Sequence, residues 1–303
     1  MSSSLAIHTD RLTKRYGERV AVDALNLQVA SGEVFGFLGP NGAGKTTTIA
    51  MLLGLVQPTA GQATVLGYDV ATNPRAALAR VGAMIEAPAF YPYLSGYDNL
   101  RVLCRAGGLA EKRIAATLAT VELTERARDK VRSYSQGMKQ RLGLAATLLP
   151  DPALIILDEP TNGLDPAGTA EMRALIRTLA AGGHTIFLCS HLLHEVEQVC
   201  ERVAILKSGQ LIAEGRVAEL VNRGQGLRLR VEGDPSQAAT LASALSWVAG
   251  VRREGDLLLI DAPAARAAEL NAHLAHHGVR VAELGPQARS LEAFFLAVTG
   301  EEH

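Results

Sequence analysis

The chain lacks most of the features that assign a protein to nucleic acid, to a membrane or to an oxidising compartment. Its 303 residues carry 30 basic and 31 acidic side chains, a net charge of -1. No basic excess therefore argues for nucleic acid as a main partner. Aromatic residues make up only 4%, too few for a platform on which successive bases stack. The three cysteines, Cys104, Cys189 and Cys200, share no C-x-x-C spacing and read as buried or free thiols in a reducing compartment. The first residues have no basic segment followed by an apolar run, so no secretory signal is expected. No apolar stretch approaches the length of a membrane span; residues 154–157 are only strand length. If the protein works at a membrane, another chain supplies the membrane part. What is present is a chain that is 48% hydrophobic, enough for a substantial core in one large or two modest domains.

One stretch organises the rest. Gly39-Pro-Asn41-Gly42-Ala-Gly44-Lys45-Thr46-Thr47 fits G-x-x-x-x-G-K-[ST], the phosphate-binding P-loop. An apolar strand-like run, 33–38, precedes it, and a helical run, 46–55, follows. Glycines let the backbone wrap a polyphosphate and turn several N–H groups inward. The helix N-terminus adds partial positive charge. Lys45 is placed for the β- and γ-phosphates and the Thr46 hydroxyl for Mg²⁺.

Around this loop the pattern is that of an α/β protein. Alternating apolar positions within 5–29 predict antiparallel strands leading into the loop. Tyr16, near the loop entrance, is placed either to stack on a purine base or to pack on the sheet. Short strands are expected at 61–66 and 81–86, and Glu86 then opens a loop rich in proline and aromatics. From 97 to 150 no strand pattern occurs, which predicts a helical insert. It ends at Tyr134-Ser135-Gln136-Gly137-Met138, opening a helix over 138–149. A Ser-x-Gly turn there is a natural anion site, and equally a simple helix cap.

Residues 154–157 read as a buried parallel strand with Asp158 and Glu159 at its carboxyl end, where open α/β sheets bind ligands. Asp158 is placed for Mg²⁺, through water, and Glu159 to polarise an attacking water. Asp165 ends the next turn, a helix follows over 166–181, and a strand over 184–189. His191, just past that strand, can reach a γ-phosphate or stand as an exposed polar residue. A hairpin over 203–214 and the segment 216–222 close the first domain, 1–222.

After a linker at 223–226 the rhythm changes. The order β-α-β-β-α-β over 227–284 suggests a small ferredoxin-like α+β domain, 225–303. A last helix presents Leu291, Phe294, Phe295 and Val298 on one face, a core or dimer stripe. His273, His276 and His277 fit no metal spacing with cysteine or carboxylate partners and are read as surface residues.

The full series resembles the ATP-binding cassette (ABC) ATPase family over 5–222. The resemblance implies a P-loop NTPase core with an antiparallel β subdomain and a helical subdomain, about 95–150. It implies that Tyr16 stacks on adenine, that 39–47 is the Walker A loop and that Asp158 and Glu159 are the Walker B pair. Tyr134 to Met138 becomes the signature motif, Asp165 the end of the D-loop and His191 the switch histidine. Two departures stand out. The usual signature is Leu-Ser-Gly-Gly-Gln; Ser135 and Gly137 match, whereas Gln136 and Met138 do not. Glu86 stands where the family has Gln, touching Mg²⁺ and the attacking water, and a carboxylate is the stronger Mg²⁺ ligand. That Glu and its loop are similar to bacterial exporters of the bacitracin-resistance and lantibiotic self-protection type, and the trailing domain is similar to those of drug exporters.

The resemblance further implies ATP and Mg²⁺ as cofactors and a head-to-tail dimer with a second cassette, expected as a homodimer. Lys45, Thr46, Glu86, Asp158, Glu159 and His191 then act in cis, and Ser135, Gly137 and Asp165 in trans. It implies ATP hydrolysis coupled to transport by a separate membrane permease, with the chain peripheral on the inner face of the membrane in the cytoplasm. Ribosome-acting relatives pair two cassettes in one chain through a charged linker, absent here. Chromosome-maintenance relatives split loop from signature by a long coiled coil. Here about 90 residues separate Lys45 from Ser135 without sustained heptads. A regulatory subunit whose C-terminal domain binds a ligand is the remaining alternative.

Overall fold

The computed structural model describes residues 4–86, 88–222, 226–286 and 290–299. The chain divides into two compact units, Met1–Arg216 and Val217–His303.

The first unit opens with two long antiparallel strands, β1 (Leu5–Tyr16) and β2 (Arg19–Ala30), whose alternating burial follows the alternating sequence. The wholly buried β3 (Val34–Leu38) leads through the glycine-rich loop into α1 (Lys45–Leu52). That helix stops three residues short of the expected end because Gly54 turns left-handed, φ 67°. Next come β4 (Ala60–Val65), β5 (Tyr68–Asp69), α2 (Pro74–Leu78) and β6 (Val81–Met84). The insert is helical as expected: α3 (Gly96–Gly107), α4 (Arg113–Thr120) and α5 (Gln136–Leu148). α5 begins two residues earlier than the sequence pattern suggests, because Ser135 caps it by accepting from the Met138 N–H. The unit finishes with β7 (Leu154–Asp158), α6 (Pro166–Ala181), β8 (Thr185–Ser190), α7 (Leu193–Val199), β9 (Arg202–Lys207) and β10 (Gln210–Arg216).

Two sheets result. An antiparallel sheet has the order β2-β1-β4-β5, and a six-stranded sheet the order β10-β9-β3-β8-β7-β6. The pairs β9-β3, β3-β8, β8-β7 and β7-β6 are parallel, and β10 is an antiparallel edge. Parallel strands are buried on both faces, hence the unbroken apolar runs in β3 and β7. Phe35, Phe37 and Phe187 pack in the centre, with ring centroids 6.0 and 5.2 Å apart. Arg202 ties the layers together: it pairs with Glu33 at 2.9 Å and Glu214 at 2.5 Å and lies over the Phe35 ring.

In the second unit, α8 (Val217–Asn222) packs with the terminal helix α11 (Leu291–Thr299). Packing therefore divides the chain one short helix earlier than the boundary expected at 222. Between them run β11 (Leu227–Val231), α9 (Pro235–Ser243), β12 (Gly250–Glu254), β13 (Leu257–Asp261), α10 (Ala267–His276) and β14 (Val281–Pro286). The sheet order β12-β13-β11-β14, with every pair antiparallel, is the ferredoxin-like arrangement. Leu227, Leu229, Leu258 and Ile260 form its core with Ala238, Leu270 and Leu274 of the helices. Leu291 and Phe295 of the terminal stripe are buried. His273 departs from the surface reading: its Nε2 is buried without a hydrogen-bond partner, and its ring lies 4.6 Å from that of His277. All three cysteines are buried and unpaired.

One close approach fixes where the helical insert meets the parallel sheet. A Cβ on Gly82 of β6 would fall 2.0 Å from the Thr147 carbonyl oxygen of α5, and one on Gly143 of α5 would fall 2.7 Å from Met84 Sδ. Only glycines let strand and helix touch so closely. Gly82→Ala is expected to lower stability by about 1–3 kcal/mol in urea or thermal unfolding. Gly250→Ala, in open space on an edge strand, is expected to leave stability unchanged.

Candidate active site

The site forms at the carboxyl edge of the parallel sheet, where β3, β8 and β7 end level with one another. Register pairs Leu38 with Ser190, and Asp158 with Cys189. The loop after β3 turns into α1 at Gly44, whose φ is 107°. A Cβ there would lie 2.4 Å from the Ala21 carbonyl oxygen, so any other residue would push the loop off β2. Lys45 is buried and folds back over the loop, its Nζ donating to the Gly39 carbonyl at 2.6 Å and the Pro40 carbonyl at 3.2 Å. Its ammonium thus sits inside the curve of backbone that the sequence assigns to phosphate.

Across from it, the Thr46 hydroxyl donates to Asp158 Oδ2 at 3.5 Å. Asp158 is buried. Burial raises its carboxyl above the usual range, the Glu159 charge raises it further, Lys45 and the Thr46 hydrogen bond pull it down, and Glu86 adds a last upward push. Glu159 follows in a left-handed conformation, φ 51°, which turns its side chain off the strand direction. Its Oε2 lies 2.8 Å from His191 Nδ1. Glu86, at the end of β6, is also left-handed, φ 56°, and exposed.

These residues line one cleft of about 530 Å³. Tyr16, Asn41, Gly42, Gly44, Lys45, Thr46, Thr47, Glu86, Asp158 and Glu159 all face it. Tyr16 is half exposed, with the Lys14 ammonium 5.1 Å from its ring centre. Gly39 contributes its carbonyl to Lys45 but does not line the cleft. His191 reaches it only through Glu159. Ser135, Gly137 and Asp165 do not line it. Two of them have a local role instead: Ser135 caps α5, and Asp165 caps α6 by accepting from the Gly168 N–H at 2.8 Å. At Gly137 an added Cβ would meet only ordinary contacts, with Ser135 Oγ at 3.9 Å and Leu164 at 4.0 Å.

The cleft can take an anion at the loop and a divalent cation beside it. Thr46, Asp158, Glu159 and Glu86 supply hard oxygen donors, and Lys45 is the cation that counters their charge around Asp158. Among the described residues no three His, Cys, Asp or Glu side chains converge as a cage. Mg²⁺ bound with a nucleotide takes most of its ligands from phosphates and water, so its binding does not require such a cage. Sequence reasoning passed over Arg19, Gln140 and Asn162, which also line the cleft. Arg19 was within reach, since the tight turn after Tyr16 sets it directly opposite that ring. Gln140 and Asn162 carried no such signal.

The description ABC transporter belongs to the family model that matches residues 22–162. The Uncharacterized ABC transporter ATP-binding protein YhcH of Bacillus subtilis (strain 168) is 42% identical over 296 residues, 96% of this chain and 94% of its own. The Bacitracin transport ATP-binding protein BcrA of Bacillus licheniformis is 39% identical over 98% of each chain. A solved ATP-binding subunit of an ABC transporter superposes with a TM-score of 0.64 at 29% identity, covering 73% of this chain and 93% of that one. No described helix is long and apolar enough to cross a membrane. With relatives 42% and 39% identical along nearly its whole length, the chain belongs to the ATP-binding subunits of ABC transporters and is an ATPase.

Proposed function

We propose that this ATPase works as a head-to-tail pair of cassettes that powers a separate membrane permease, exporting a drug, a peptide antibiotic or a lipid-like substrate. The observation that supports the dimer is that Ser135, Gly137 and Asp165 stay out of the cleft, although their neighbours Gln136, Asn162 and Gly163 line it. Lys45, Thr46, Asp158, Glu159 and Glu86 line one cleft, whereas Ser135, Gly137 and Asp165 do not. A second copy supplies those three across the γ-phosphate, and ATP thereby becomes part of the interface. The bacitracin-transport relative supports an antibiotic of that kind as cargo. With a permease as anchor, the chain sits on the cytoplasmic face of the membrane.

In this reading the loop amides and Lys45 hold the β- and γ-phosphates, and Tyr16 stacks on the adenine. Thr46, Asp158 and Glu86 would hold Mg²⁺. When bound, Mg²⁺ neutralises charge on the phosphate oxygens. Glu159 accepts a hydrogen bond from the attacking water and aims it in line with the γ-phosphate. His191, held at Glu159, fixes that carboxylate and completes the contact to the γ-phosphate. Binding ATP closes the pair and hydrolysis opens it, a population shift that the permease converts into movement of cargo.

Three measurements check this. Glu159→Gln removes the acceptor but keeps the shape; turnover is expected to fall by roughly 10²–10⁴-fold with ATP affinity retained. Undiminished hydrolysis would remove Glu159 from its role. Glu86→Gln replaces an anionic ligand by a neutral one, so the Mg²⁺ concentration for half-maximal turnover is expected to rise; an unchanged Mg²⁺ dependence with unchanged coupled transport refutes the assignment. Finally, the tagged chain, isolated from detergent-solubilised membranes of its host, is expected to carry a stoichiometric multi-span protein identified by mass spectrometry. Soluble partners or ribosomes alone would leave the ATPase standing and overturn the transport reading.

A further inference from the structure

Gln140 has no assigned role, yet it occupies an unusual place. It sits on α5 five residues after Ser135, about 7.5 Å further along the helix axis. Only 2% of its surface is exposed, its Oε1 is buried without a hydrogen-bond partner, and its side chain lines the nucleotide cleft. Folds pair nearly all buried polar atoms, because an unpaired one forfeits its hydration. The side chain lines a ligand cleft, so its orphan carbonyl oxygen is open to completion by something the ligand brings.

The neighbours narrow what that is. Glu86, Asp158 and Glu159 share the cleft, and as carboxylates they accept and do not donate. The Lys45 ammonium is already directed at the Gly39 and Pro40 carbonyls. Arg19, Gln136 and Asn162 also line the cleft and carry donors, yet none of them bonds Gln140 Oε1. A donor that arrives with the nucleotide can fill that place. A Mg²⁺ ion on a triphosphate keeps several of its waters, whose polarised O–H groups are strong donors. The helix that carries Gln140 is also held firmly. Arg141, the next residue, pairs with Glu122 at 2.8 Å and with Glu171 of α6. At its start Gln136 lies against Gly163. The amide is placed by its frame rather than free to wander.

We propose that Gln140 is a positioning residue for the metal at its own chain's nucleotide site, its Oε1 accepting a hydrogen bond from a Mg²⁺-bound water. This rests on the reading of the cleft as a Mg²⁺–ATP site. It gives α5 two duties, since the same helix begins at Ser135, the residue offered to a second copy.

The test is a Mn²⁺ titration, read by electron paramagnetic resonance, of the full-length chain with a non-hydrolysable ATP analogue. Gln140→Met and Gln140→Leu remove the acceptor and keep an apolar side chain of similar size; Gln140→Glu keeps an acceptor oxygen. Both apolar variants are expected to lose roughly tenfold or more in Mn²⁺ affinity. Their metal-free nucleotide affinity should stay near wild type, and their melting temperature without nucleotide should be equal or higher. Gln140→Glu should hold Mn²⁺ at least as tightly as wild type. Unchanged Mn²⁺ affinity in a folded Met or Leu variant overturns the proposal, as does an equal loss in all three. A wild-type chain that binds the analogue but no Mn²⁺ overturns the cation site itself, and Gln140's role with it.

Discussion

The active cleft depends on one tie, the approach of Thr46 to Asp158 across 112 residues of sequence. Neither residue can reach the other by local folding. Thr46 follows β3 and Asp158 ends β7, and these strands are not neighbours; β8 lies between them. The tie exists because three buried parallel strands end in register, with Leu38, Ser190 and Asp158 brought level through the shared β8. A slip of one residue in either pairing would move the carboxylate away from the P-loop and turn every strand side chain to the opposite face. The phenylalanine stack of Phe35, Phe37 and Phe187 sits in β3 and β8 and resists such a slip. Core packing and the placement of Asp158 at the P-loop are thus one constraint seen from two ends.

The same edge of the sheet concentrates what folding would rather disperse. Three carboxylates share the cleft, and two of them, Glu86 and Glu159, hold left-handed backbones that cost about 1–2 kcal/mol each. Asp158 is pushed toward its protonated form by burial and by Glu159. A fold selected for stability alone would separate these charges. A ligand that carries a divalent cation into the cleft relieves them, so the unfavourable terms of the free protein become a reason to bind.

Much of this was legible in the sequence because its signals are local. The P-loop needs glycines at fixed spacing before Lys45 and Thr46. A buried strand that ends in Asp158-Glu159 announces a sheet edge. The β-α-β-β-α-β order of the second unit shows in its alternating and helical periods. The illegible parts depend on contacts far apart in sequence. Gln140 looks like any polar residue on an amphipathic helix until α5 is laid against β6. Val217–Asn222 reads as the close of the first domain, yet it packs with a helix that ends the chain. His273 sits at a helix end rich in polar residues, and only the packing of its ring buries Nε2. Asp165 shows the opposite case, a residue whose motif is plain and whose capping of α6 lies behind it.

The placement of α5 bears on how the cleft can speak to a distant surface. Its middle is pressed on β6 through Gly82 and Gly143, and Pro88, two residues beyond Glu86, packs on that same Gly143. Its Arg141 is paired to α6, and its first turn lies against the D-loop at Gly163 and Leu164. A helix held at so many points moves as a body or not at all, since close-packed interfaces shift between discrete arrangements rather than deform smoothly. A displacement of the segment that carries Pro88 therefore cannot stay local. It presses on Gly143, and the rigid helix carries it to Ser135 at one end and to Leu148 at the other.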